Sequence, residues 1–169
     1  MTMQYFKDAN DAVHGFDDTD PAQVALMNSL AIDQEWVDVT SSWPPAPTLA
    51  QTQTGQIAVL SAACQSAITT GFTSKALGPS YNYGSQLTDQ NNLLSALSAA
   101  QGQPSAWTTP LWCANGGAWA FQPHSAAQVA QVNTDWVAFR TGLQQKYAAL
   151  VVEVQAATSV AAVEAIVWQ

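Results

Sequence analysis

Charge is what this sequence has least of. Among its 169 residues only 9% are charged, and Arg140 is the sole arginine. The usual fraction in soluble domains is roughly a quarter. Lys7, Lys75 and Lys146 complete the cations. Nucleic acid and anionic membrane surfaces are recognised largely through Lys and Arg, so a chain of net charge −8 is not expected to bind either. Cysteine is also scarce. Cys64 and Cys113 stand 49 residues apart with no CxxC or Cys/His cluster around them, and read as small buried hydrophobes. No basic segment followed by an apolar run opens the chain, and "AALVVEVQAATSVAAVEAIVW" is interrupted by Glu153, Gln155 and Glu164. A membrane span is therefore not expected, and the chain reads as soluble and made in the cytoplasm.

Catalytic and metal-binding patterns are missing as well. There is no GxSxG, HExxH or phosphate-cradling glycine loop. His14 and His124 lie 110 residues apart, each without ligands at metal spacing. "DDTD" at 17–20 lacks the glycine and closing glutamate of a calcium loop, and reads as helix capping. The expectation is no catalytic residues, no cofactor and no metal.

What remains is uneven in its distribution. Asp8, Asp11, Asp17, Asp18, Asp20, Asp33, Glu35 and Asp38 oppose only Lys7, so nearly all the negative charge lies in the first 38 residues. "SSWPPAPT" at 41–48 separates this acidic part from a long region rich in Ala, Gln, Ser, Thr and Leu. Pro44, Pro45 and Pro47 fix their own φ angles and push the preceding residues toward extended backbone, which makes a semi-rigid spacer. The division expected is a small acidic module (1–43), a proline linker (44–48) and a larger domain (49–169).

The N-terminal module reads as ββαβ. "MQYFKDANDAVHGF" has the turn chemistry of a hairpin. "DPAQ" starts a helix with Asp20 as N-cap, Pro21 at the first position and Gln23 completing a capping box. Val24, Met27, Leu30 and Ala31 form its apolar stripe, and "WVDVTSSW" alternates as a third strand. In the larger domain a helix follows Thr48 and Gln51, with Leu49, Ile57, Leu60, Cys64 and Ile68 on one side. "FTSKALGPSYNYGS" suggests a hairpin turning at Gly78-Pro79, and Thr88 opens another helix. "AWTTPLWCANGGAWAFQ" is the clearest hairpin, with Asn115-Gly116-Gly117 at its turn. Ser125 and Gln128 form a capping box before a stripe of Val129, Val132, Trp136, Phe139, Leu143, Tyr147, Leu150 and Val154. Thr158 or Ser159 caps a last short helix. The fold class expected is α+β, with one or two small hairpins on a helical domain. The long stripe exceeds what the domain's other helices cover easily, which suggests intermolecular packing, a trimer before other homo-oligomers.

Seven tryptophans are many for this length. Trp36 and Trp136 fall on periodic apolar faces and read as core. Trp107, Trp112 and Trp119 crowd one hairpin with Phe121 beside them, and cannot all point inward. Together with Tyr81 and Tyr83 they are the candidate partner-binding residues, for a protein surface or a sugar.

"YFKDANDAVHGFDD", a helix and then "WVDVTSSWPPAPT" resemble the opening of small tailed-bacteriophage proteins known as tail-fibre assembly proteins. The following region, with "ACQSAITTGFTS", "DQNNLLSAL", a Trp-bearing hairpin and His124 before a long helix, is similar to an uncharacterised domain of the same phage proteins. It departs from that pattern in being nearly uncharged. The resemblance implies a non-enzymatic tail protein that binds the tail fibre or tail tip, as an assembly factor or a retained virion component. It implies synthesis in the bacterial cytoplasm and residence in the virion tail. The alternative is a receptor- or carbohydrate-binding module at the fibre end.

Overall fold

Two aspartates punctuate the start of the chain. Asp8 accepts from the backbone N–H groups of Asn10 and Ala12 at 2.8 and 2.9 Å, and Asp11 takes a φ of 66°. This turn joins β1 (Met3–Lys7) to β2 (Val13–Asp17), antiparallel with Met3 opposite Asp17 and Lys7 opposite Val13. Asp20 then caps α1 (Pro21–Met27), accepting from Ala22 N at 2.9 Å. Gln23 does not close the expected capping box. Its side-chain carbonyl accepts from Asp17 N at 2.9 Å instead, which ties the helix to the end of β2. A π-helical turn at Asn28–Ile32 follows.

The computed structural model describes residues 2–32 and 34–169. Asp33, counted among the N-terminal acids, lies outside the described residues. The third strand is shorter than its alternation suggests. β3 spans only Val37–Asp38, because Asp38 accepts from Thr40 N at 2.8 Å and the backbone turns into a 3-10 segment at Thr40–Ser42. β3 pairs with β1, so the sheet order is β2-β1-β3. Phe6, Phe16, Met27 and Ala31 fill the small core, and Trp36 packs on it. The chain divides into two compact units, Met1–Thr48 and Leu49–Gln169. Pro44, Pro45 and Pro47 are exposed and carry no regular structure.

The second unit is built on one long helix. α4 (Ala126–Ala156) has 31 residues, about 46 Å at 1.5 Å per residue. Ser125 and Gln128 start it with the reciprocal capping box, Ser125 N to Gln128 Oε1 at 2.9 Å and Gln128 N to Ser125 Oγ at 3.4 Å. α2 (Leu49–Ile68) runs antiparallel to its C-terminal half. Gln53 Nε2 donates to the carbonyls of Val154 and Ala157 at 3.1 and 3.2 Å, and Cys64 lies against the carbonyl of Leu143. α5 (Val160–Glu164), capped by Ser159, packs on α2. Leu60, Val154 and Val163 form a small core there, with Tyr147, Leu150 and Trp168 around it.

The N-terminal half of α4 is covered by α3 (Leu87–Ala100) and by a sheet. α3 starts one residue after Gln86, earlier than the Thr88 start expected, because Gln86 N bonds the Asp89 carboxylate at 3.0 Å. The sheet has the order β4-β5-β6-β7, with β4 at Phe72–Ser74, β5 at Tyr81–Tyr83, β6 at Thr108–Asn115 and β7 at Ala118–Ser125. The two expected hairpins are thus one sheet, joined where Asn82 and Tyr83 pair with Ala114 and Cys113. Phe72, Tyr83, Leu93, Cys113, Val129, Val132 and Trp136 form the main core between sheet and helices. The apolar stripe of α4 is therefore shared between two cores of its own unit, α3 and the sheet at one end and α2 with α5 at the other. The whole is α+β, helices and antiparallel sheets mixed.

Candidate functional site

The hairpin of β6 and β7 turns on Gly116 and Gly117, at φ 58° and 85°. Positive φ at both central residues of a two-residue turn is the type I′ geometry, which glycine adopts without steric cost. Such a turn makes Asn115 and Ala118 a hydrogen-bonded pair, and the pairs then alternate along the ladder. Trp112 opposite Phe121, and Pro110 opposite Pro123, fall on non-hydrogen-bonded positions. There two prolines remove no bond between the strands, and aromatic side chains stand closest.

Strand alternation then sorts the aromatic residues. Trp112, Trp119 and Phe121 point away from α4, and remain 48%, 45% and 66% exposed. Trp112 meets Phe121 edge-on at 4.8 Å between ring centroids and stacks on Trp119 at 6.3 Å. Ala114 is buried although it belongs to this outer face, where Trp119 is its partner across the ladder. The result is a continuous exposed aromatic surface on a paired strand, not on a mobile loop.

The other three candidate residues belong elsewhere. Tyr83 is buried and stacked on Phe72 at 5.5 Å, and reaches outward only as part of the walls of two hollows. Tyr81 and Trp107 are half-buried and pack against the main core. The reason is parity. Tyr81 and Tyr83 share the inward face of β5, while Asn82 between them faces out. What the sequence reading missed is Asn82 and the helix α3 beside the strands, because neither carries a local signature of function.

Two hollows flank the aromatic surface. One, of about 510 Å³, lies between β6 and α3, with Leu93, Ala96 and Ala99 on one side and Trp112 and Phe121 on the other. The second, of about 420 Å³, has Trp119, Asn82 and Thr70 among its walls. A larger hollow of about 690 Å³ lies at β4 and the start of α4, is polar and contains no aromatic residue.

His124 ends β7 and is fully buried. Its Nδ1 lies 2.8 Å from the carbonyl of Gln122 and its Nε2 2.8 Å from the Tyr83 hydroxyl. A carbonyl only accepts, so Nδ1 carries the proton and Nε2 accepts from the phenol. Burial lowers the His124 pKa and raises those of Tyr83 and Cys113. Both ring nitrogens are engaged inside the core, which suits a structural role. His14 differs: it is half-buried, bonded to Asp8 at 3.0 Å and lying 4.7 Å from the Trp36 ring.

Residues 50–167 match the family model described as a domain of unknown function, DUF4376. The chain belongs to that family. Comparison with curated proteins and with solved structures finds no match. The DUF4376 region takes in the sheet, α3, all of α4 and nearly all of α2. The aromatic surface and both flanking hollows therefore lie within the family domain, while the acidic unit and the proline segment precede it.

Proposed function

We propose that this chain is a non-enzymatic binding protein of a tailed-bacteriophage tail, engaging the tail fibre or tail tip as an assembly factor or a retained virion component. The phage assignment rests on the resemblance of "YFKDANDAVHGFDD" and "WVDVTSSWPPAPT" to tail-fibre assembly proteins. The observation that carries the binding role is the exposed cluster of Trp112, Trp119 and Phe121 on a rigid hairpin. Tryptophan anchors of this kind dominate protein interfaces.

Magnitudes support the involvement of the adjoining groove. Three half-exposed aromatic side chains offer on the order of 300 Å² of apolar surface, worth about 8 kcal/mol if fully covered. Association itself costs at least about 4 kcal/mol and often more. The aromatic cluster alone thus gives weak binding, and a partner that also fills the hollow between β6 and α3 binds with useful affinity. Leu94 and Leu87 of α3 are also exposed, at 60% and 70%.

The test is co-expression with the tail fibre of the same phage, followed by affinity capture. The wild-type chain retains the fibre, and the double variant Trp112→Ala with Phe121→Ala loses it while its melting curve stays close to wild type. Capture that survives the double substitution removes this face from the account. The alternative of saccharide recognition is favoured by a separate observation, the polar row beside Trp119, taken up next.

A further inference from the structure

We propose that the hollow beside Trp119 is a binding site for a neutral saccharide; it shares Trp119 with the aromatic cluster and adds Asn82, which the protein-binding surface does not use. The site is laid out by register. Thr73 pairs with Asn82, Asn82 with Ala114 and Ala114 with Trp119, so these four residues form one row across β4, β5, β6 and β7. Thr73, Asn82 and Trp119 are exposed on the outer face of that row. Strands about 4.8 Å apart place the Asn82 and Trp119 backbones roughly 10 Å from each other. Ala114 between them is buried and does not line the hollow, whereas Gly71 and Gly84, which carry no side chain, do.

The chemistry of the walls selects the ligand. An indole face, electron-rich at its centre, attracts the C–H groups on the flat side of a pyranose ring. Sugar hydroxyls each donate and accept, and a carboxamide offers both functions in one plane. The Asn82 amide makes no hydrogen bond among the described residues and is exposed. The hollow's remaining polar wall is held in place before any ligand arrives. Gln86 Nε2 donates to Thr69 O at 2.9 Å, and Thr70 Oγ1 donates to Ala67 O at 2.8 Å, leaving its lone pairs to accept. At about 420 Å³ the hollow has the size of small-ligand sites.

Charge narrows the class further. No Lys, Arg, Asp or Glu lines this hollow. A sialylated or uronate-bearing glycan finds no cation there, on a chain whose net charge is −8. An apolar peptide is disfavoured too, because it would cover the Asn82 amide and the threonine hydroxyls without pairing them. A neutral saccharide satisfies both the indole and the amide.

A glycan microarray of neutral and anionic saccharides, probed with the labelled full chain, tests the proposal. Any neutral glycan retained is then titrated in solution, following tryptophan fluorescence. The expected result is retention of neutral glycans over anionic ones, with Trp119→Ala and Asn82→Ala each weakening affinity tenfold or more. Asn82 is an exposed side chain, so Asn82→Ala folds normally and its melting curve confirms this. Retention of no neutral glycan, or retention unchanged by Asn82→Ala, overturns the proposal. Fibre capture is measured on the same Asn82→Ala protein. Loss of glycan with capture intact separates this site from the protein-binding surface, and failure of either activity is read independently of the other.

Discussion

The Tyr83 hydroxyl lies 2.8 Å from Nε2 of His124, joining β5 to the end of β7 across the buried side of β6. Because Nδ1 donates to the Gln122 carbonyl, Nε2 of the neutral imidazole accepts from the phenol. A protonated ring would turn a second N–H toward the phenol in a buried setting, and burial accordingly holds the His124 pKa below the ordinary 6.5.

Acid should therefore weaken the two units in sequence. Below about pH 6.5 the unfolded chain binds a proton at His124 that the folded chain resists, so stability of the C-terminal unit falls as pH falls from 7 to 5. In the N-terminal unit the carboxyls of Asp8, Asp17 and Asp38 are held below their ordinary values by hydrogen bonds, first from the side chains of His14, Thr19 and Thr40. Their contribution is present above about pH 4 and is lost as pH falls through their lowered values. Urea titrations at pH 7.5, 6 and 5, followed by NMR signals from each unit, check the order of loss.

Tyr83→Phe leaves Nε2 of His124 buried without a donor. The expected cost is about 1–3 kcal/mol, read from the urea midpoint at pH 7.5. His124→Gln should also destabilise, and in addition should remove the pH 5–7 dependence of the C-terminal unit.

Glycines at different places should respond with opposite signs. Gly116→Ala or Gly117→Ala forces a side chain into left-handed backbone at the β6–β7 turn, costing about 1–2 kcal/mol. Gly55 and Gly142 sit inside α2 and α4 with open space where a Cβ would stand. Alanine there should stabilise by about 0.5–1 kcal/mol. Thermal unfolding of the four variants checks both directions.

Cys113 in the main core and Cys64 on α2 against the Leu143 carbonyl are buried free thiols, and burial raises the pKa of each. The thiolate is the reactive form. Native protein should react slowly with an aromatic disulfide reagent and release two equivalents of thiol promptly once denatured. Prompt native reactivity would show that the packing around one of them opens readily.

Local chemistry made much of this fold readable. Asp20-Pro21, Ser125 with Gln128 and Asn115-Gly116-Gly117 each specify a helix start or turn through residues close in sequence, and each is found where its pattern places it. The shortened β3 was hidden because Asp38 prefers the turn at Thr40 over continued pairing. The join of β5 to β6 was hidden for a different reason. It pairs residues some thirty positions apart, and nothing in "YNY" or "WCA" announces the partner. The same limit applied to the site. Tyr81 and Tyr83 look as available as Trp112 until strand parity is fixed, and only the assembled sheet turns them inward and Asn82 outward.

The central claim is that this chain works by binding tail components. The measurement that tests it most directly is quantitative mass spectrometry of purified phage particles and of fibre complexes isolated from infected lysate. The account predicts the chain in one of these fractions: in virions at a fixed ratio to tail proteins, or with fibres before assembly ends. A chain abundant in lysate yet absent from both virions and fibre complexes would contradict it.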